Sequence, residues 1–205
     1  MAPDPATQER IYLAIKRDFL AGEFRPWERI DIKAISDRHL TSATPVREVL
    51  ARLVGERLFE HRPEGGFRPL LPDGTGLADM YAYHQHLIVT ALTLADNQKL
   101  RQVIKAYRHD APETDPRDIA RYTASLFNSI AWTSANTEIM AQSQSLNERL
   151  HHARIAETRV FRHVLGELRT ITRNGLVDIR GVLAKRIAKY HVRRVERTRE
   201  ILDEY

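Results

Sequence analysis

Apolar residues in the first part of the chain recur at helical spacing in short runs, each bounded by polar or turn-forming residues. Ile11, Ala14, Ile15, Phe19 and Leu20 predict one helix over Thr7 to Ala21, which Gly22 stops. Asp31 is placed to cap a second, short helix carrying Ile32, Ile35 and Leu40. Ser42 is placed to cap a third, with Pro45 in its first turn and an apolar face of Val46, Val49, Leu50 and Leu53. Arg47, Glu48 and Arg52 then project elsewhere. Leu58 to His61 and Phe67 to Leu70 flank Pro63-Glu64-Gly65-Gly66, which predicts a hairpin with a glycine tip. Three short helices followed by a hairpin are the outline of a winged helix-turn-helix, in which the third helix can enter a DNA groove. The same outline also serves as a protein-interaction module.

Pro69, Pro72, Asp73, Gly74 and Gly76 then interrupt the pattern, and residues 73–76 are expected to be a linker between domains 1–72 and 77–205. Beyond them the periodicity is helical throughout. Helices are expected over Leu77 to Ala95, Asn97 to Tyr107, Pro116 to Thr133, Thr137 to Thr172 with a break near Gly166, and Leu176 to Tyr205. Asn174-Gly175 is a stop signal before the last of these. Six or seven helices predict an antiparallel bundle, a fold that holds ligands between facing helices. The fold class is therefore mainly α.

Composition excludes more than it selects. The chain has no cysteine, so neither disulfides nor zinc–thiolate sites are available. No apolar stretch approaches the roughly 20 residues a bilayer requires, and Met1 to Pro5 lacks the features of a signal peptide, so the cytoplasm is the expected compartment. A net charge of +5 permits a polyanionic partner. It does not locate one, because residues 1–72 hold twelve Lys/Arg against eleven Asp/Glu. The eight basic residues from Arg180 to Arg199 read as a solvated helix face.

Specific residues carry a resemblance. Ala21-Gly22-Glu23-Phe24-Arg25-Pro26, Glu28-Arg29-Ile30 and above all Ser42-Ala43-Thr44-Pro45-Val46-Arg47-Glu48-Val49-Leu50 resemble the DNA-binding domain of the GntR family of bacterial regulators. The likeness runs from Ile11 through the wing to Phe67. It implies an operator-binding homodimer, more often a repressor, with DNA contacts from Lys33, Ser42, Thr44 and Arg47 and a close approach of the wing at Gly65 and Gly66. Ala43 stands where the family has Arg or Lys. Trp27 and Arg57 stand where it has glycine, and His39-Leu40-Thr41 replaces its apolar-Gly-Val turn.

The remainder resembles the FadR-like (FCD-type) ligand domain of that family. Phe127-Asn128, Thr133-Ser134-Ala135-Asn136 against a Ser-Gly-Asn stretch, and Ala188-Lys189-Tyr190-His191 carry this likeness. Many such domains hold a divalent metal with one Asp and three His. Here those positions fall on Ala124, Asn128 and Arg169, with only His191 matching and His163 a turn or two from the third. No metal is therefore expected, and the resemblance implies an organic-acid effector held by residues such as His84, Asn128, Arg169 and His191. Two other function classes compete. One is an interaction adaptor that has lost DNA affinity. The other is a metal phosphohydrolase built on the His109-Asp110 doublet.

Overall fold

The computed structural model describes residues 5–109, 112, 114–173 and 178–205. The chain divides after Leu71 into two compact units. The first contains α1 (Pro5–Leu20), α2 (Ile32–Arg38), α3 (Ala43–Gly55), β1 (Phe59–His61) and β2 (Phe67–Pro69). The strands pair antiparallel with Phe59 opposite Pro69, Glu60 opposite Arg68 and His61 opposite Phe67. Arg68 Nε donates to Glu60 Oε1 at 2.6 Å across the ladder. Ile11, Ile15 and Phe19 of α1 pack on Val46, Leu50 and Leu53 of α3, and Phe59 closes the core against Phe19. This is the winged helix-turn-helix that the pattern predicts.

Its turns are closed by backbone geometry. Asp31 caps α2 by accepting from the Ala34 N–H at 3.0 Å. Ser42 occupies the N-cap position of α3, but its side chain makes no capping hydrogen bond, contrary to expectation. The first helix ends with Gly22 at φ 72°, where Gly22 and Glu23 donate to Phe19 and Asp18. The same closure ends α2 at Leu40, φ 49°, where Leu40 and Thr41 donate to Asp37 and Ser36. It ends α3 at Arg57, φ 60°, where Arg57 and Leu58 donate to Val54 and Leu53. Leu40 therefore lies outside α2 and is 91% exposed, not part of its apolar face. Trp27, φ 69°, is the third residue of a turn that begins at Arg25 and carries Pro26 second, the pattern of a type II turn. Every one of these positions favours glycine, and three of them do without it.

The second unit is all helical: α4 (Gly74–Leu94), α5 (Asn97–His109), α6 (Pro116–Trp132), α7 (Thr137–Arg149), α8 (His151–Val160), α9 (Val164–Ile171), α10 (Ile179–Val195) and α11 (Thr198–Leu202). Eight helices are thus seen among the described residues, more than the six or seven expected. Asp73 caps α4 through the Gly76 N–H, so residues 73–76 begin a helix and are not a linker. The long fourth helix breaks at Leu150 and again at Phe161 to His163, whereas Gly166 sits inside α9. The last one breaks at Glu196 and Arg197. Asn174-Gly175 lies outside the described residues. The hydrophobic centre is built from Leu77, Tyr81, Ile88, Leu126, Phe127, Ile130, Leu146, Leu168 and Ile187, with α10 packed along α4 and α6 against α7 and α8. No helix among the described residues is long and apolar enough to cross a membrane.

Candidate functional site: a basic helix face and a buried polar chamber

Burial of Val46, Val49, Leu50 and Leu53 turns the opposite side of α3 outward, and Thr44, Arg47 and Glu48 are exposed on it, with Ser42 exposed just before it. Neighbouring charges on this surface are largely compensated. Arg52 lies 3.5 Å over the Tyr12 ring and pairs with Glu9 at 2.9 Å, while Gln8 bonds Glu48 at 2.6 Å. Arg38 pairs with Asp18 at 3.3 Å. Arg47 makes no hydrogen bond or ion pair among the described residues, and neither does Lys33, exposed on the first turn of α2. Two cations and an uncommitted Ser42 hydroxyl thus remain on offer near two helix starts, where free backbone N–H groups also favour anions. At the wing, Gly65 and Gly66 hold φ 91° and 90°. A Cβ on Gly66 would lie 2.9 Å from Arg29 Nε, so the tip is tight as well as strained for any other residue.

Inside the bundle, α4, α6, α7, α8 and α10 bring a set of polar side chains together. His84 Nδ1 lies 2.8 Å from His191 Nε2, and His191 Nδ1 lies 2.7 Å from the Ile187 carbonyl. A carbonyl only accepts, so His191 carries its hydrogen on Nδ1 and receives the His84 Nδ1–H on Nε2. The far side of the His84 ring is buried and meets the Asn147 side chain. Both rings are held neutral: burial drives His191 down from 6.5 to about 3 and His84 well below its ordinary value. Asn128 Oδ1 accepts from Ser143 Oγ at 2.9 Å and from Asn147 Nδ2 at 2.5 Å, and Asn147 in turn meets the His84 ring.

Two guanidinium groups complete this interior, and they differ. Arg194, fully buried, donates from Nε to Glu157 at 2.8 Å and from Nη1 to Glu167 at 2.7 Å. Tyr81 and Tyr190 also donate to Glu157. Arg154 is 1% exposed, and none of its three nitrogens has a hydrogen-bond partner among the described residues. Its Cζ lies 5.7 Å from the centroid of the Phe127 ring, which also abuts His84 at 5.0 Å and His191 at 5.3 Å. Tyr190, beside these rings, lines a cavity of about 150 Å³ whose wall carries Arg186, Lys189 and Arg193 together with Glu167, which pairs with Arg193.

A family described as "Bacterial regulatory proteins, gntR family" matches residues 7–68. Those residues are a GntR-family helix-turn-helix domain. Two curated relatives are similar to the chain. The Nta operon transcriptional regulator of Aminobacter aminovorans is 26% identical over 137 residues, 64% of this chain and 65% of that protein. The HTH-type transcriptional repressor GlaR of Escherichia coli K12 is 27% identical over 84 residues, 41% of this chain and 38% of that protein. In both, the chain spans less than two thirds of the relative's length. Among solved structures, a GntR transcriptional regulator from Rhodococcus sp. RHA1 superposes with a TM-score of 0.77 at 15% identity, covering 98% of this chain and 99% of that one. E. coli McbR/YncC superposes with a TM-score of 0.70 at 14% identity over 97% and 98%. The GntR-type front unit and the helical bundle behind it therefore share a fold with known regulators along nearly their whole length.

In this chain, with its GntR-family front domain, the sequence-read residues separate into groups. Lys33, Ser42, Thr44 and Arg47 are all exposed, and Gly65 and Gly66 form the wing tip. His84 and His191 touch, with Asn128 two hydrogen bonds away through Asn147. Arg169 is exposed on α9 and His163 is exposed just before it, away from the buried His191, and both drop out of that group. A metal does not fit the chamber. His191 spends both ring nitrogens on other partners, a guanidinium stands nearby, and no group of three or more His, Cys, Asp or Glu that could hold an ion occurs among the described residues. The basic run from Arg180 is a solvated face only in part: Lys185, Lys189 and Arg199 are exposed. Arg180 donates to the Thr93 and Ala95 carbonyls at the end of α4, Arg186 donates to the Arg173 carbonyl, and Arg194 is buried. Sequence reading missed Arg154 altogether. Its one signal was its place within the run of apolar and small residues Ala153, Ile155 and Ala156.

Proposed function

We propose that the chain is a DNA-binding transcriptional regulator that reads a palindromic operator as a homodimer, acts as a repressor, and takes a small-molecule effector in its bundle. The observation that carries this is the exposed, uncompensated Arg47 on α3 of a GntR-family domain, beside Ser42 and Thr44. On this reading Arg47 donates to a guanine edge or a phosphate, Ser42, Thr44 and Lys33 bind phosphates, and Gly65-Gly66 lets the wing approach the backbone. A two-fold operator needs two recognition helices, hence a second copy of the chain. The outer face of α4 supports this, because Tyr83 and Leu94 are 50% and 54% exposed on one side of that helix. Relatives named as a regulator and a repressor support the same class, and no catalytic reaction is assigned to the chain. It would act in the cytoplasm.

Purified protein is mixed with fragmented genomic DNA, and bound fragments are sequenced. A shared palindromic motif whose enrichment falls roughly 10- to 100-fold in Arg47→Ala, the loss of one good contact, supports the reading. Binding should also weaken steeply with salt, because phosphate neutralisation releases counterions. Enrichment indifferent to Arg47→Ala, or none at any salt concentration, overturns specific recognition and favours an interaction adaptor.

A further inference from the structure

Charges on the side of α10 that faces α9 do not balance. Glu167 accepts from the buried Arg194 at 2.7 Å and pairs with Arg193, while Glu157 accepts from Arg194 at 2.8 Å. Two carboxylates thus answer two guanidinium groups. Arg186 and Lys189 stand on the same helix without a carboxylate among the described residues. Arg186 donates to the Arg173 carbonyl at 3.3 Å, and Lys189 is exposed. Three positions apart, the two lie on one face of α10, so their heads can converge on a single group. Both line the cavity of about 150 Å³ between α9 and α10, where Ile171 and Tyr190 form the buried part of the wall. The Tyr190 hydroxyl donates to Glu157 at 3.2 Å, so the side chain offers the cavity chiefly its ring.

We propose that this cavity is a site for a phosphate monoester, its phosphate held by Arg186 and Lys189 and its organic part laid against Tyr190 and Ile171. The charge count selects the ligand. Two unanswered cations match a group that carries nearly two negative charges at neutral pH and three terminal oxygens, enough to accept from a guanidinium fork and an ammonium together. A carboxylate brings one charge and two oxygens, and a phosphodiester of a nucleic-acid backbone also brings one charge. Size points the same way. A space of this volume holds about one ring or one phosphate group, so the head and the first atoms of the organic part fit and the remainder reaches solvent beside the exposed Lys189. The site shares no residue with the DNA-facing set on α2, α3 and the wing, nor with the group of His84, Asn128 and His191. It therefore goes beyond the proposed function, and its occupancy is read without DNA.

The test uses the full-length protein with phenyl phosphate, inorganic phosphate and benzoate as probes at constant ionic strength and about pH 8, where both phosphates are dianions. Binding is read by calorimetric titration and by thermal unfolding. Phenyl phosphate should bind saturably, about 10-fold more tightly than inorganic phosphate, which has no ring to cover the apolar wall. Benzoate keeps the ring but carries one charge, and should bind about 10-fold more weakly than phenyl phosphate or not at all. Lys189→Gln should weaken phenyl phosphate about 10-fold and leave the ligand-free melting temperature unchanged, because the side chain is exposed. Arg186→Gln should weaken it likewise. Should that variant unfold through loss of the bond to Arg173, Lys189→Gln alone carries the test. No saturable binding of phenyl phosphate, equal binding of benzoate, or binding undiminished in Lys189→Gln overturns the proposal. So does a fall in duplex-DNA affinity in Lys189→Gln with phenyl phosphate unaffected, which would assign these cations to a nucleic-acid backbone. Arg47→Ala should bind phenyl phosphate as the unaltered chain does, so loss of operator binding and loss of phosphate binding are separate results.

Discussion

Leu40, Arg57 and Trp27 each hold a left-handed backbone in a turn of the front domain, and Ala135 does so at φ 53° between α6 and α7. A side chain in that region is strained by roughly 1 kcal/mol, which glycine avoids at some cost in unfolded-state entropy. Leu40→Gly and Arg57→Gly should therefore each stabilise the protein by about 0.5 kcal/mol, seen as a higher urea midpoint at unchanged slope. Destabilisation by either change would mean that the side chain contributes packing that its exposure conceals. These positions were legible in the sequence as departures from a glycine-bearing pattern, and Leu40 takes the glycine's conformation in place. The lone Arg154 was not legible. Nothing in a string of residues says that an arginine lacks a carboxylate, because the acids that satisfy Arg194 come from α8 and α9.

At the scale of elements, two N-caps of the same outline behave differently. Asp31 bonds its helix and Ser42 does not. Asp31→Ala should cost about 1 kcal/mol of stability. Ser42→Ala should leave the melting temperature nearly unchanged and lower operator affinity, which a paired unfolding and DNA-titration experiment separates. The front elements were readable because each carries its own stop or cap: Gly22, Asp31, the Gly65-Gly66 tip. The bundle was harder. Helices α7, α8 and α9 part at Leu150 and Phe161, residues with no local breaking tendency, while Gly166 is absorbed in the first turn of α9. Those breaks are set by packing, since Leu150 and Phe161 are both buried in the core. The arginines of α10 misled for a related reason. Their partners are carbonyls at the ends of α4 and α9, remote in sequence.

Over the whole molecule, several imidazoles are folded away in neutral form. Burial lowers His152 from 6.5 to about 4 and His191 from 6.5 to about 3, with His84 also lowered. In the unfolded chain these groups take up protons near pH 6.5 and in the folded one they do not. The unfolded state therefore binds more protons between about pH 6.5 and 3, and stability, complete above that window, falls as the pH drops through it. Each such histidine contributes a slope of about 1.4 kcal/mol per pH unit. Melting temperatures should decline from pH 7 to pH 5, before carboxylates titrate, and less steeply in His152→Gln. A pH-independent midpoint over that range would show that these rings protonate without unfolding. A broader consequence attaches to Arg194, whose one buried guanidinium ties α8 and α9 to α10 through Glu157 and Glu167: the three helices should open together or not at all, which leaves a protease no partly released tail to cut.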